Sequence, residues 1–320
     1  MRRVRDWGLG GQVPPPVARR RLAVAVAGLG LALVVGLGAC AAAGAERDAI
    51  VVGAGSHPEQ EVLGAIVAAA LERDGHDVEV RGDLGDTVGL RREAVGERID
   101  VFVDYTGAAW GLGLGEQAPP ADGEESWERV READVANGLR WLTPSEADAT
   151  LALAVRAEDA PAEGEATMSW LAGELSGGER SLCAEVDFLL REGGLDAIAR
   201  EYGIDLARLP RRPATAAEAV EEVEAQRCFA GLVTATSGAA RAAGLVVVTD
   251  DLDVWPAFVA APVVREGSPA DEPDVAEALA PAMAALDTAA LATLNAEHAT
   301  GQDPDDLAAR FLDEAVEEGA

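Results

Sequence analysis

The chain has 320 residues, 49% apolar and 26% charged, enough to bury the core of one large domain or of two ordinary lobes and incompatible with a wholly disordered polymer. Its 57 acidic residues against 26 basic ones give a formal charge of −31, which repels phosphate backbones and argues against nucleic-acid binding. All 26 basic residues are Arg, so Schiff-base and phosphate-loop lysine chemistry is excluded, and only 4% of the residues are aromatic.

Residues 1–21 carry six Arg against one Asp, and an uncharged apolar run follows over 22–35, the pattern of a secretory leader. The run ends in Leu37-Gly38-Ala39-Cys40, which resembles the lipobox of bacterial lipoproteins. The expectation is a signal peptide over 1–39, a lipid on Cys40 and a tether over 40–47, with the protein anchored on the extracytoplasmic face of the cell membrane. An uncleaved membrane helix is the alternative, because the uncharged stretch reaches the ~20 residues that span a bilayer; the small residues before Cys40 favour the lipoprotein. The paired arginines leave the export route open. Removing the leader makes the rest more acidic still, which suits long-range capture of cations, although a compositional habit accounts for it equally well. Beyond Cys40 two cysteines remain, Cys183 and Cys228. In an oxidising compartment two leftover thiols pair, closing a loop of about 45 residues worth ~3–4 kcal/mol. A metal site is the weaker reading, with no His nearby.

From residue 48 the pattern alternates: strand at 50–53, helix at 59–73, strand at 78–80, helix at 87–97, strand at 100–103, which predicts a parallel α/β sheet. A Gly-, Pro- and acid-rich loop over 111–125 precedes a helix predicted over 126–141. A strand at 151–155 and a loop at 159–165 follow. Helices are predicted near 181–191, 195–202 and 214–225, strands at 229–234, 245–249 and 258–264, and closing helices near 273–286, 288–298 and 305–317. No internal repeat is evident.

The first strand-to-helix turn reads Gly53-Ala54-Gly55-Ser56-His57-Pro58-Glu59. Ser56 with Glu59 three residues on predicts a capping box, and Pro58 suits the first turn. A helix start at the carboxyl end of a strand presents free N–H groups to an anion, though an ordinary cap explains the same residues. The glycines do not complete a dinucleotide fingerprint. At the end of the third strand, Asp104-Tyr105-Thr106-Gly107 places a ring and a carboxylate where a cation can be received, or a Tyr where it is simply buried. His57, His76 and His298 are too scattered for a metal trio, Ser56 beside His57 lacks a nucleophile elbow, and no clustered acid, base or nucleophile supports an enzyme. Trp127, Trp141 and Trp170 fall in helical or helix-edge stretches and read as core.

The runs Glu59-Gln60, Leu84-Gly85, Ile99-Asp100, Asp104 to Gly107, 150–155, Asp187 to Tyr202 with Arg191 and Gly194, Trp255-Pro256 and Leu294-Asn295 recur in one order. In these runs the chain resembles the osmoprotectant (glycine betaine, choline and carnitine) substrate-binding proteins of ABC transporters. The resemblance implies a two-lobed periplasmic-binding fold of type II, each lobe a mostly parallel sheet flanked by helices. Lobe one would span 48–146 and 245–320 and lobe two 147–244, joined by crossing segments near 144–150 and 236–244. It implies no enzyme and no cofactor, but a receptor that captures a small cationic or zwitterionic solute between the lobes and delivers it to an ABC permease and its ATPase. A sensory or scaffold lipoprotein on the same fold is the alternative. Carried over position by position, the ligand residues are Ser56, His57, Asp104, Tyr105, Thr106, Thr150, Thr236, Trp255 and Phe258. Tyr105, Trp255 and Phe258 supply rings for a quaternary ammonium, and Ser56 and Thr106 hold its anionic end. His57, Leu151 and the run Thr234 to Ser237 stand where the family has aromatic or acidic residues, so the matched positions furnish fewer rings than a complete cage.

Overall fold

The computed structural model describes residues 49–111, 119–191 and 193–318, so the leader, the tether over 40–47 and Cys40 lie outside the described residues. Among the described residues no helix is long and apolar enough to cross a membrane.

Lobe one begins with β1 (Ile50–Gly53), α1 (Pro58–Arg73), β2 (Val78–Arg81), α2 (Thr87–Val95), β3 (Val101–Tyr105), α3 (Thr106–Ala109), α4 (Gly123–Asp134) and β4 (Leu139–Trp141). Lobe two runs through β5 (Leu151–Arg156), α5 (Met168–Leu175), β6 (Leu182–Ala184), α6 (Val186–Leu190), α7 (Leu195–Tyr202), β7 (Arg211–Pro213), α8 (Ala216–Glu224), β8 (Ala230–Thr234), α9 (Gly238–Ala242) and β9 (Leu245–Val248). The chain then returns to lobe one with β10 (Ala260–Arg265), α10 (Pro273–Ala285), α11 (Thr288–Ala299) and α12 (Pro304–Glu318). The sheets have the orders β2-β1-β3-β10-β4 and β7-β6-β8-β5-β9.

Side-chain alternation along the strands builds a core on each face of each sheet. In lobe one, Ile50, Val52, Val101, Val103, Ala260 and Val264 face the layer of α1 and α10–α12, while Phe102, Ala261 and Val263 face Leu90, Trp110 and Trp141. In lobe two, Leu153, Val155, Ala230 and Leu232 pack on α5 and α7, and Ala152, Ala154 and Val233 pack on Val220 and Ala240.

Three expectations change. Each sheet keeps the expected mostly parallel sense, four of its five strands running one way, with a single reversed strand: β10 runs antiparallel to β3 and β4, and β5 to β8 and β9. Both reversed strands follow a crossing between lobes, which enters the sheet from the opposite end. β9 is an edge of the second sheet, so the residues from 245 stay in lobe two until after Val248. The second crossing is therefore 249–259, and 236–244 is the local turn carrying α9. The helix predicted through 141 stops at Asp134 and one 3₁₀ turn, because Gly138 turns left-handed at φ 70° and Leu139–Trp141 joins β10. Likewise the 181–191 stretch opens with β6, three buried residues too short to show a period. Helix α5 and strand β7 went unpredicted.

Two polar devices hold the strand ends. Beneath β3, Arg91 donates to Asp104 at 2.8 Å and to Asp134, all three nearly buried; Asp134 also accepts from Asn137 at 2.9 Å and from the Trp141 indole at 2.7 Å. Between the crossings, Asp148 accepts from the backbone N–H of Thr150 at 2.9 Å and of Phe258 at 2.8 Å, and Thr150 Oγ1 donates to the Pro256 carbonyl at 2.6 Å. The two crossings are thus stitched side by side, Asp148 bridging to Val259.

Cys183 on β6 and Cys228 before β8 are joined in a disulfide across 45 residues of chain. A loop of that length predicts that the double variant Cys183→Ser/Cys228→Ser loses about 3–4 kcal/mol in urea unfolding; an unchanged midpoint refutes this. Burial pushes the Asp104 carboxyl up to about 6, against the pull of Arg91. Asp104 then holds its proton more tightly folded than unfolded, so folding takes up a proton between about pH 4 and 6, and falling pH through that window favours the fold. Compared with Asp104→Asn, the wild type should gain on the order of 2–3 kcal/mol between pH 7 and pH 4. A difference that does not vary with pH contradicts it.

Candidate functional site

A cavity of about 440 Å³ opens between the lobes, within the range of small-molecule sites. Lobe one contributes 57–59 at the start of α1 together with Asn295 and Ala299 on α11. Lobe two contributes Leu151, Glu185, the first turn of α8 (216–217) and the end of β8 with the turn into α9 (232–234 and 236–239).

The wall in lobe one is built from the first strand-to-helix turn. Sequence expects Ser56 to cap α1, but His57 is the cap, its Nδ1 accepting the Glu59 N–H at 3.3 Å. Ser56 instead accepts the Gly85 N–H at 3.1 Å while its own N–H donates to the Gly85 carbonyl at 2.8 Å, which ties the 82–86 loop to the turn and keeps Ser56 out of the cavity. With the helix starting one residue later, Glu59 falls in the first turn, 7% exposed.

The Glu59 carboxylate is the centre of the wall. One oxygen accepts from the Tyr105 hydroxyl and the other from Asn295 Nδ2 at 2.6 Å. The same Asn295 nitrogen donates to the Thr236 carbonyl of lobe two at 2.9 Å. A single amide therefore links α1, α11 and the β8–α9 turn. Its carbonyl oxygen, Asn295 Oδ1, is buried with no hydrogen-bond partner among the described residues. Gly238 makes this approach possible: a Cβ there would stand 2.5 Å from the Asn295 carbonyl carbon.

Of the expected ligand residues, His57 and Thr236 line the cavity. Tyr105 stands behind the wall, packed on the lobe-one core, with burial and the neighbouring Glu59 carboxylate raising its hydroxyl pKa well above the usual range. The others are engaged elsewhere. Asp104 is fully buried on Arg91 and accepts the Tyr105 N–H at 2.8 Å. Thr106, also fully buried, donates to the Ala257 carbonyl at 3.2 Å and accepts the Val259 N–H at 3.1 Å, and Thr150 serves the crossing described above. Trp255 is 5% exposed in the lobe-two core, its ring stacked on Phe188 at 5.5 Å and its backbone N–H donating to Asp250 at 2.7 Å. The Phe258 ring covers Gly107, whose missing Cβ would lie 2.5 Å from it. Asp104, Thr106 and Thr150 share one physical reason: they lie where a strand or crossing ends, and unpaired backbone groups there claim any hydroxyl or carboxylate within reach.

Glu59, Glu185 and Asn295 were not singled out as site residues. Glu59 and Asn295 lay inside matched runs, and a carboxylate in a first turn next to a strand end was the available signal; nothing in the local sequence marks Glu185.

The family described as the substrate-binding domain of ABC-type glycine betaine transport systems matches residues 48–314. A glycine-betaine-binding protein of Pseudomonas aeruginosa is 31% identical over 278 residues, covering 84% of this chain and 89% of the relative. The glycine betaine-binding protein YehZ of Escherichia coli is 29% identical over 272 residues, 82% of this chain and 89% of the relative. The solved apo form of YehZ superimposes with a TM-score of 0.76, covering 83% of this chain and 98% of that one. A glycine betaine/carnitine/choline transporter structure at 20% identity shares the fold, with a TM-score of 0.75. The chain belongs to the family of substrate-binding domains of ABC-type glycine betaine transport systems, and as such is an extracytoplasmic solute receptor of an ABC importer and not an enzyme.

Proposed function

We propose that this receptor captures a small zwitterionic or cationic solute in the cavity between its lobes and presents it to its permease while tethered to the membrane through a lipid on Cys40. The observation that carries the first part is the cavity itself, with walls from both lobes and carboxylates on each: Glu59 from lobe one and Glu185 from lobe two. No Arg is among the lining residues, and the chain has no Lys, so no guanidinium or ammonium on the wall opposes a positive charge entering the cavity. An anionic end has a different partner. The first N–H groups of α8, at 216–217, have no partner within the helix and line the same cavity. The names of the relatives point to glycine betaine as one solute to try.

For the lipid, the support is the sequence Leu37-Gly38-Ala39-Cys40 at the end of an apolar run.

Thermal unfolding with glycine betaine, choline, carnitine, sarcosine and other amino acids tests the receptor reading. At least one compound should raise the melting temperature saturably, by about 2.7 kcal/mol of added stability at a hundred times Kd. A flat response across the panel sinks solute capture. Expression in a bacterial host with a clickable palmitate analogue tests the tether. The wild type should label and sediment with membranes, whereas Cys40→Ala should do neither; labelling that survives the substitution removes Cys40 as the anchor.

A further inference from the structure

The contact between α9 and α11 can open only if the lobes part. Ala240 anchors α9 among Ala152, Val220 and Val233 of lobe two, and Leu291 and Leu294 anchor α11 in the core of lobe one. Neither helix can follow the other without leaving its own core. The separation of the two helices is therefore set by the position of one lobe against the other.

This contact lies between the crossings and the cavity. Helix α11 begins at the first crossing, where Thr288 Oγ1 accepts the Asp148 N–H at 3.0 Å, and ends at Ala299 on the cavity wall. Between these points Asn295 donates to the carbonyl of the fully buried Thr236 at 2.9 Å. Gly238 presses on the backbone of α11: a Cβ there would stand 2.5 Å from the Asn295 carbonyl carbon and 2.6 Å from the Ala296 nitrogen, and the three nearest atoms it would meet all belong to lobe one. Backbones this close leave no room for a side chain between them. Every donor, acceptor and packed atom named here belongs to the chain, so no solute is needed to bring the surfaces together.

The same contact carries the means of its release. The Asn295 amide nitrogen serves both Glu59 and Thr236, and Oδ1 is left buried with no partner among the described residues. A buried acceptor without a donor costs as much as one neutral hydrogen bond contributes, or more. Parting the lobes lets water reach Oδ1 and the Thr236 carbonyl together, so hydrogen bonding alone does not hold the contact shut. The close packing at Gly238 decides the balance.

We propose that the α9–α11 contact is a latch that holds the two lobes together in the solute-free receptor, that Gly238 is the residue whose missing side chain lets it close, and that the unpaired Asn295 Oδ1 keeps it reversible. The proposal concerns the resting arrangement of the lobes and goes beyond solute capture. Its test uses no solute, so its failure leaves the proposed function standing.

Small-angle neutron scattering of the full chain in contrast-matched detergent reads the separation of the lobes as overall size. Gly238→Ala adds one methyl that the joined arrangement cannot accept, and should give a larger radius of gyration and longest dimension than the wild type with an unchanged far-ultraviolet circular dichroism spectrum. Gly173→Ala on α5, where a Cβ would meet nothing within 4 Å, should scatter as the wild type does. Asn295→Ala leaves the Thr236 carbonyl buried and unpaired while the lobes are joined, and should enlarge the particle as Gly238→Ala does. Equal size in the wild type and both of these variants overturns the latch, whether the lobes are parted in all three or joined in all three. Loss of the folded spectrum in both variants overturns it as well, because each lobe has its own core and a latch between them is not what folds either.

Discussion

The junction between the lobes depends on one buried amide. Asn295 on α11 donates to a carboxylate of its own lobe and to a backbone carbonyl of the other, and Gly238 admits α11 to within van der Waals reach of α9 by having no side chain. The arrangement is stringent because both ends are buried. Removing the amide strands Glu59 with one donor fewer and Thr236 with an open carbonyl, while adding a methyl at 238 forces the helices apart. The cavity lies beside this contact and inherits its geometry, since 57–59, 236–239 and Asn295 form part of its wall.

The rest of the molecule supports that junction by fixing strand ends. Arg91 holds β3 from below through Asp104, whose second oxygen takes the N–H of Tyr105, the residue that positions Glu59. Charge buried in lobe one therefore reaches the cavity through three consecutive contacts. Complete burial outweighs the pull of that guanidinium, so Asp104 is pushed up and not held down, with the second carboxylate on Arg91 adding a little in the same direction. Across the crossings, Asp148 performs the matching task for two backbone N–H groups, with its own carboxyl raised by burial and pulled back by those same bonds.

Much of this fold was legible in the sequence and little of the site was. The alternation 50–53, 59–73, 78–80, 87–97 and 100–103 appears as β1 to β3 nearly residue for residue, because each element carries its own period and Gly55, Gly75 and Gly96 punctuate them. What failed were three-residue strands, β4, β6 and β7, which exist only because a neighbouring strand pairs with them. The direction of β5 and β10 was illegible for the same reason, since reversal comes from the path between lobes and leaves no local trace. For the candidate site, residue type at a strand end pointed to residues around the cavity, of which His57 and Thr236 line it. Asp104, Thr106 and Thr150 have the chemistry to meet a ligand, yet each is consumed by backbone groups that sequence cannot see.

Aromatic scarcity links composition to recognition. With 4% aromatic residues spread over two lobes, each core still needs large apolar units, and the rings go there: Trp110 and Phe102 in lobe one, Phe188 and Trp255 in lobe two. A ring stacked on another in a core stabilises the fold through buried area, whereas the same ring on a cavity wall stabilises only the complex. In a chain this poor in rings the two uses compete, and these cores take them. Carboxylates are not scarce here, and most sit on the surface where they add little to stability. Placing two of them on a cavity wall costs the fold less than sparing two tryptophans, so an acidic, ring-poor protein reaches a cation-attracting interior by the route its composition leaves open.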